Sequence, residues 1–187
     1  MNPIEIIKSG KEDIDDILTL LGEAKGDNLS SEEKAREGFI QGNINRDMIL
    51  HFQSDPGIFI AKSSDQTAGV AIVSRGEPCK QGPAAELYRT VLNNTPGLTG
   101  NELFLYGPVT VKKEYRGQGI LTLLLKQVCL ELQDDFKLGA AFVDQTNEKS
   151  LQIHRHYPMD ESGYFYFNEK KYSVFTFAPS SVLRFYL

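Results

Sequence analysis

The chain has 187 residues, of which 41% are hydrophobic and 24% are charged, and its formal net charge is −5 at pH 7. This composition is typical of a soluble globular protein that can bury a sizeable core. The acidic balance argues against a nucleic-acid-binding surface as the main functional feature. We therefore predict a single domain over residues 1–187 with no nucleic-acid partner.

The cysteines and the amino terminus exclude further classes. Cys79 and Cys129 lie far apart with no clustered histidines, which indicates neither a disulfide framework nor a metal site. The stretch MNPIEIIKSGKEDIDD lacks the basic and long apolar regions of a secretory signal. No apolar run approaches the ~20 residues of a membrane helix. We expect a cytoplasmic protein with no membrane partner.

The first part of the chain alternates helical and strand patterns. Ser9 with Glu12 fits a capping box before a helix, and Ser30 with Glu33 starts a second helix that Phe39 and Ile40 anchor and Gly42 ends. The predicted elements are a strand over 4–8, these two helices, a third helix over 46–53, and a hairpin with strands over 58–62 and 69–74.

Residues 76–101 depart from this rhythm, because they are rich in Gly, Pro and Asn around one short helix. The predicted elements from here on are helix 84–92, strand 102–111, helix 120–133, strand 139–146, helix 148–156 and an aromatic hairpin that turns near 168–170. The 102–146 portion is a β-α-β unit, so its two strands should be parallel. The fold class is mixed α/β (α+β).

The segment VKKEYRGQGILTLLLKQV places glycines between a strand and the amino end of a helix, where backbone N–H groups favour an anion. A dinucleotide fingerprint fails because Thr122 occupies its last glycine position, and a Walker loop fails because no Gly-Lys-Ser/Thr follows. What remains is R-x-x-G-x-G/A, here Arg116, Gly119 and Leu121. A glycine-rich turn that binds nothing is the alternative.

This segment resembles the acyl-CoA pyrophosphate loop of the GNAT superfamily of N-acyltransferases. The resemblance implies a central mixed, mostly antiparallel sheet with helices on both faces, and acetyl-CoA as the cofactor. It also implies that Arg116 supports the loop. The backbone contacts to pyrophosphate would come from Gly117, Gln118, Gly119, Ile120, Leu121 and Thr122.

Two further features extend the resemblance. Gly107-Pro108 interrupts a strand, since proline cannot donate to a ladder, and GNAT folds splay two parallel strands there. By resemblance, the backbone of Val109 and Val111 would pair with the pantetheine arm. DQTNEKSLQIH is similar to the family pattern N-x-x-S/A-x-x-x-Y/H, which implies that Asn147 and Ser150 lie near the pantetheine. The glycine-aromatic pair of that pattern is replaced by Pro158-Met159. EEKAREGFIQG also looks like an amino-terminal segment of a bacterial subset of these enzymes.

Acyl transfer to an amine needs a neutral amine, a stabilised oxyanion and a proton for the departing thiolate. Many relatives use a tyrosine as that acid where this chain has His154, so we predict that His154 donates the proton, with Tyr157 as the rival donor. The strand LFLYG offers no carboxylate, only Tyr106, which favours a water-mediated base or an acceptor amine of low pKa over a direct carboxylate base. Neither cysteine lies beside a motif histidine, which favours direct transfer over a covalent enzyme intermediate.

The sequence thus predicts an N-acetyltransferase that moves an acetyl group from acetyl-CoA to a primary amine of a small molecule or peptide. The alternative is a non-catalytic acyl-CoA-binding sensor or interaction module. The apolar carboxyl-terminal stretch SSVLRFYL could pack on a second copy, which leaves a homodimer open.

Overall fold

The computed structural model describes residues 3–76 and 80–187. The strands are β1 (Ile4–Lys8), β2 (Gly57–Ser63), β3 (Gln66–Arg75), β4 (Leu103–Val111), β5 (Leu138–Asp144), β6 (Asp160–Phe167) and β7 (Lys170–Phe177). The helices are α1 (Ile14–Ala24), α2 (Ser31–Glu37), α3 (Arg46–Ser54), α4 (Pro83–Asn94), α5 (Ile120–Leu132), α6 (Glu148–His156) and α7 (Pro179–Phe185).

The strands form one sheet in the order β1-β2-β3-β4-β5-β7-β6. Among these pairings β4–β5 is parallel and the others are antiparallel. This confirms the predicted mixed, mostly antiparallel sheet. It also confirms the parallel strands of the 102–146 unit, because α5 supplies the crossover that a parallel pair needs.

Helices cover both faces of this sheet because successive strand residues point to opposite sides. Phe59 and Phe104 are buried on one face together with apolar side chains of α5, α6 and α7. Their neighbours Ile58 and Ile60 are buried on the other face against α1 and α3, and Leu103 against α4. Both faces therefore carry core, as predicted.

The end of α2 and the cap before α1 differ from the prediction. α2 ends at Glu37, because the next residue, Gly38, has a φ of 74° that terminates the helix. Phe39 and Ile40 therefore lie in the loop beyond α2, and Gly42 is not its end. The capping interaction before α1 joins Gly10 and Asp13 rather than Ser9 and Glu12, because the Asp13 carboxylate accepts the Gly10 N–H at 2.8 Å.

The carboxyl-terminal stretch forms α7, which the sequence pattern did not predict as a helix. Pro179 starts it, a position where the missing N–H costs nothing, and Val182 is fully buried in the core shared with α5. Part of the apolar surface that suggested a homodimer is thus covered by the chain itself, although Phe185 and Leu187 remain exposed.

The feature that positions the site is the divergence of β4 from β5. Their pairing joins Leu103–Leu105 to Leu138–Ala140 and stops there, although both strands continue. On the opposite edge, the β3–β4 register shifts at Gly107-Pro108, between the pairs Val73–Tyr106 and Ala71–Val109. The predicted interruption is confirmed, and it leaves a gap between the carboxyl ends of the two parallel strands.

Candidate functional site

A cleft of about 540 Å³ lies at this gap, within the range of ordinary small-molecule pockets. Its walls come from the end of β4, the loop into α5, the end of α2 and its following loop, and α6. Of the residues that the sequence singled out, it is lined by Val109, Val111, Arg116, Gly117, Gly119, Ile120, Leu121, Thr122, Ser150 and Tyr157. Gln118, Asn147 and His154 lie outside that lining.

The two loop glycines have a conformational reason to be glycine. Gly117 and Gly119 both have φ of 75°, a left-handed conformation that strains other residues, and a Cβ on either would meet no atom within 4 Å. Gly119 is the N-cap of α5, and the Leu123 N–H donates to its carbonyl at 3.0 Å. The bond from Leu123 is the first one within α5, so the N–H groups of residues 120–122 have no partner inside the helix. The loop therefore combines open space with available N–H donors, an arrangement that can hold an anion.

Arg116 fastens this loop to its surroundings. Its Nε donates to the carbonyl of Val111 at the end of β4 over 3.0 Å, and a terminal nitrogen donates to the Glu37 carboxylate over 2.7 Å. This geometry suits a residue that supports the loop. The Gln118 side chain is exposed and its amide donates to the Glu114 carbonyl at 3.4 Å, so any ligand contact of Gln118 falls to its backbone.

Asn147 has a structural use that the sequence pattern did not reveal. It is buried, and its side-chain oxygen caps α6 by accepting the Ser150 N–H at 3.3 Å. Its Nδ2 donates to the carbonyl of Phe39 at 2.9 Å, which ties α6 to the loop after α2. Ser150, one turn further, lines the cleft.

The His154 ring is held by α6 itself. Its Nδ1 lies 2.8 Å from the Ser150 carbonyl, and because a carbonyl can only accept, Nδ1 carries the proton. Burial lowers the pKa of His154 below its usual value, partly offset by that hydrogen bond, and the ring packs on Phe175 with centroids 5.1 Å apart. A neutral ring protonated at Nδ1 offers a lone pair at Nε2, which makes His154 a poorer proton donor than predicted.

Acid destabilisation should report this burial. The folded pKa of His154 lies below the unfolded value of about 6.5, so the unfolded chain binds the extra proton and stability falls as pH drops through and below about 6.5. His154→Asn keeps a donor for the Ser150 carbonyl but cannot titrate. The free energy of unfolding, measured in urea between pH 7.5 and pH 5, should therefore fall less steeply with decreasing pH for His154→Asn than for the wild type.

His156→Gln is the matched control, since His156 is an exposed residue of the same helix. The free energy of unfolding of His156→Gln should depend on pH as steeply as that of the wild type. If the free energy of unfolding depended equally on pH in His154→Asn and in the wild type, the pKa of His154 would not differ between the folded and the unfolded chain.

Tyr157 presents a phenol to the cleft directly after α6. Burial raises the pKa of Tyr157 above its usual value, while a hydrogen bond with the Thr122 side chain acts in the opposite direction. Tyr186, which follows α7, also bonds the Thr122 side chain. A neutral phenol that still carries its proton at pH 7 can serve as an acid.

Glu37 is a site residue that no motif identified. Arg36 bonds its carboxylate at 2.8 Å, Arg116 at 2.7 Å, and the Lys113 ammonium lies at 3.7 Å. The hydrogen bonds from Arg36 and Arg116 lower the pKa of Glu37 to about 2. The only sequence signal was that EEKAREGFIQG resembles a segment of related enzymes, which carried no role for this glutamate.

The loop after Glu37 is anchored at its far end by a polar cluster. Gln41 donates to the Asp144 carboxylate at 2.5 Å and accepts from the Tyr172 hydroxyl at 2.9 Å. Thr146 also donates to Asp144, from N–H and hydroxyl, and Lys170 lies 3.4 Å from it. Because Asp144 is the last residue of β5, residues 37–41 run from the loop that carries Arg116 to the carboxyl end of β5.

Cys129 is buried within α5, and burial raises the pKa of its thiol to about 12, so it has little thiolate to act as a nucleophile. Cys79 lies outside the described residues. Within residues 3–76 and 80–187, no group of three or more His, Cys, Asp or Glu side chains could hold a metal ion. In the same ranges no helix has the length and apolar character to cross a membrane.

Several solved structures resemble this one over nearly its whole length. The N-acetyltransferase from Staphylococcus aureus Mu50 is 16% identical, with a TM-score of 0.60 over 95% of this chain and 99% of that chain. The yncA structure from Salmonella typhimurium, solved with its cofactor acetyl-CoA, is 11% identical with a TM-score of 0.62 over 95% of each chain. The acetyltransferase of GNAT family from Streptococcus pneumoniae is 11% identical, with a TM-score of 0.61 over 94% of this chain and 99% of that chain.

No protein-family model and no curated protein matches the sequence. The structural likeness nevertheless shows that the chain has the fold of the GNAT acetyltransferases, which confirms the predicted fold class.

Proposed function

We propose that this chain is a single-domain N-acetyltransferase that transfers an acetyl group from acetyl-CoA to a primary amine of a small molecule or peptide. One observation carries the proposal: the glycine loop before α5 lines the same cleft as the part of β4 that pairs with β3 but no longer with β5. An anion cradle beside a free strand edge suits a ligand with a pyrophosphate and an extended, amide-bearing arm.

The residues fit such a cofactor in a definite arrangement. The N–H groups from Gly117 to Thr122 would hold the pyrophosphate, with Arg116 keeping the loop against β4. Val109 and Val111 would present strand backbone to the pantetheine arm, with Ser150 on the facing helix. Acetyl-CoA bound there would supply the acyl thioester. Asn147 would act indirectly, since its amide is engaged by α6 and by the Phe39 carbonyl.

We assign the proton for the departing thiolate to Tyr157 rather than His154. The phenol lines the cleft and is neutral, whereas the His154 proton is committed to the Ser150 carbonyl. We propose direct transfer without a covalent enzyme intermediate, since the Cys129 thiol is buried and protonated and neither cysteine lies beside a motif histidine in the sequence. We propose that the acceptor amine enters in its neutral form. We also propose a cytoplasmic location and no nucleic-acid or membrane partner, and a homodimer stays an open alternative to a monomer.

Calorimetric titration tests the cofactor assignment. We expect micromolar binding of acetyl-CoA, equivalent to about −8.2 kcal/mol, and much weaker binding of S-acetylpantetheine, which lacks the pyrophosphate. Equal affinity for the two ligands, or none for acetyl-CoA, would contradict the loop assignment.

The second candidate is an acyl-CoA-binding sensor. It is favoured by the middle of β4, where Tyr106 is buried and burial raises its pKa well above the usual value, so this strand supplies no base. Incubation with acetyl-CoA and a panel of small amines and peptides separates the two. Acetylation of any amine above the rate without protein supports the enzyme, whereas binding without transfer supports the sensor.

A further inference from the structure

Glu37 concentrates negative charge beside the proposed pyrophosphate loop. Its carboxylate is 14% exposed and lies within 4 Å of three cationic side chains, those of Arg36, Lys113 and Arg116. Two of these cations, Lys113 and Arg116, belong to the segment that leads into the glycine loop. A partly enclosed carboxylate that shares these cations interacts with them more strongly than a surface pair does.

A pyrophosphate held by the loop would need the same positive charge. Gly117 directly follows Arg116, and both residues line the cleft together with Glu37. A polyanion there attracts Arg116 and Lys113 and repels the Glu37 carboxylate. Glu37 and the cofactor are therefore electrostatic competitors, which is a different relation from that of a residue that merely holds Arg116 in place.

Glu37 is also the first residue of segment 37–41, which runs from the loop that carries Arg116 to the carboxyl end of β5. Within that segment the Ile40 N–H donates to the Ala24 carbonyl at 2.8 Å, and Asn147 and Asp144 hold Phe39 and Gln41 from the β5 side. Phe39 and Ile40 face the cleft from this segment. The ion pairs of Glu37 with Arg116 and Lys113 attach this segment to the loop before α5.

We propose that Glu37 weakens cofactor binding by competing with the pyrophosphate for Arg116 and Lys113, and that the same ion pairs hold residues 37–41 against the loop before α5 as one wall of the cleft. This inference rests on the proposed function. It makes Glu37 a positioning residue that acts through Arg116 and the segment, without contact to the reacting atoms.

Glu37→Gln tests the competition because glutamine keeps the shape and an acceptor oxygen but removes the charge. We expect CoA to bind about three- to tenfold more tightly to Glu37→Gln than to the wild type by calorimetry. S-acetylpantetheine should bind equally to both. Glu32→Gln, at an exposed glutamate on the same helix, is the matched control and should leave both affinities unchanged.

The outcomes separate this inference from the function on which it rests. If the wild type fails to bind CoA, the proposed function falls and this inference falls with it. If the wild type binds CoA but Glu37→Gln binds it equally or more weakly, the competition is wrong and the function stands.

Hydrogen exchange provides a readout that needs no ligand. Amide exchange at Gly38 and Ile40 should be faster in Glu37→Gln than in Glu32→Gln, because the segment loses its attachment to the loop. Unchanged exchange would overturn the positioning role, and a loss of the whole thermal transition in Glu37→Gln would show that the residue is required for folding instead.

Discussion

Gly119→Trp should abolish detectable acetyl-CoA binding, a loss of at least about 100-fold or roughly 2.7 kcal/mol. Gly119 lines the cleft, and the position of its missing Cβ has no atom within 4 Å, so an indole would project into the space that the pyrophosphate requires. The positive φ of 75° adds strain of about 1 kcal/mol to any side chain there. Calorimetry of the folded variant gives the measurement.

Two further variants separate the effect of filling the cleft from the effect of backbone strain at a positive φ. Gly97→Trp introduces the same side chain at a similar backbone conformation, since Gly97 has a φ of 85° and no atom within 4 Å of the Cβ position. Because Gly97 lies outside the cleft lining, this variant should bind acetyl-CoA like the wild type. Gly119→Ala should bind with an intermediate affinity, because a methyl group adds strain but little bulk. Wild-type affinity in Gly119→Trp would mean that the loop does not hold the cofactor.

Tyr157→Phe should lower kcat by about 100-fold or more while acetyl-CoA affinity stays within about threefold, since a positioned general acid contributes on the order of 10²–10⁴. The substitution removes the phenol proton and the bond with the Thr122 side chain but keeps the ring that packs on the core. Steady-state rates with the best amine of the panel, together with calorimetry, separate kcat from binding.

His154→Asn provides the opposing measurement and Tyr166→Phe the control, because Tyr166 is an exposed tyrosine on β6. We expect a smaller fall in kcat for His154→Asn than for Tyr157→Phe, and none for Tyr166→Phe. A larger fall for His154→Asn would restore His154 as the proton donor and leave Tyr157 as a core aromatic residue.

The elements with strong local signals were predictable. The glycines of the loop are required by local backbone conformation, and the Gly107-Pro108 interruption follows from the missing proline donor, so both were visible in the sequence. Ser150 and His154 are four residues apart on α6, a spacing that places both on one face of the helix. What spacing could not provide was the location of the ring proton, which depends on which carbonyl the ring meets.

Contacts between distant segments were the part that the sequence hid. Glu37 and Arg116 are 79 positions apart and belong to segments with no shared periodicity, so nothing local predicts their ion pair. Asn147 reaches the Phe39 carbonyl across 108 positions. α7 was not predicted because its short apolar pattern is compatible with a surface that binds another chain as well as with a helix that packs on α5. The burial of Val182 in the core shared with α5 shows that it packs as a helix.

The brief pairing of β4 with β5 also bears on how the molecule resists unfolding. β1–β4 and β5–β7 are joined along the sheet by only three residue pairs, so this contact is its narrowest in the described residues. A ligand that lies along the open edge of β4 would act as an additional strand and would mechanically couple the two halves. Such a ligand at 100 times its Kd would raise the free energy of unfolding by about 2.7 kcal/mol. In that case the cofactor would serve as a removable structural part as well as a reactant.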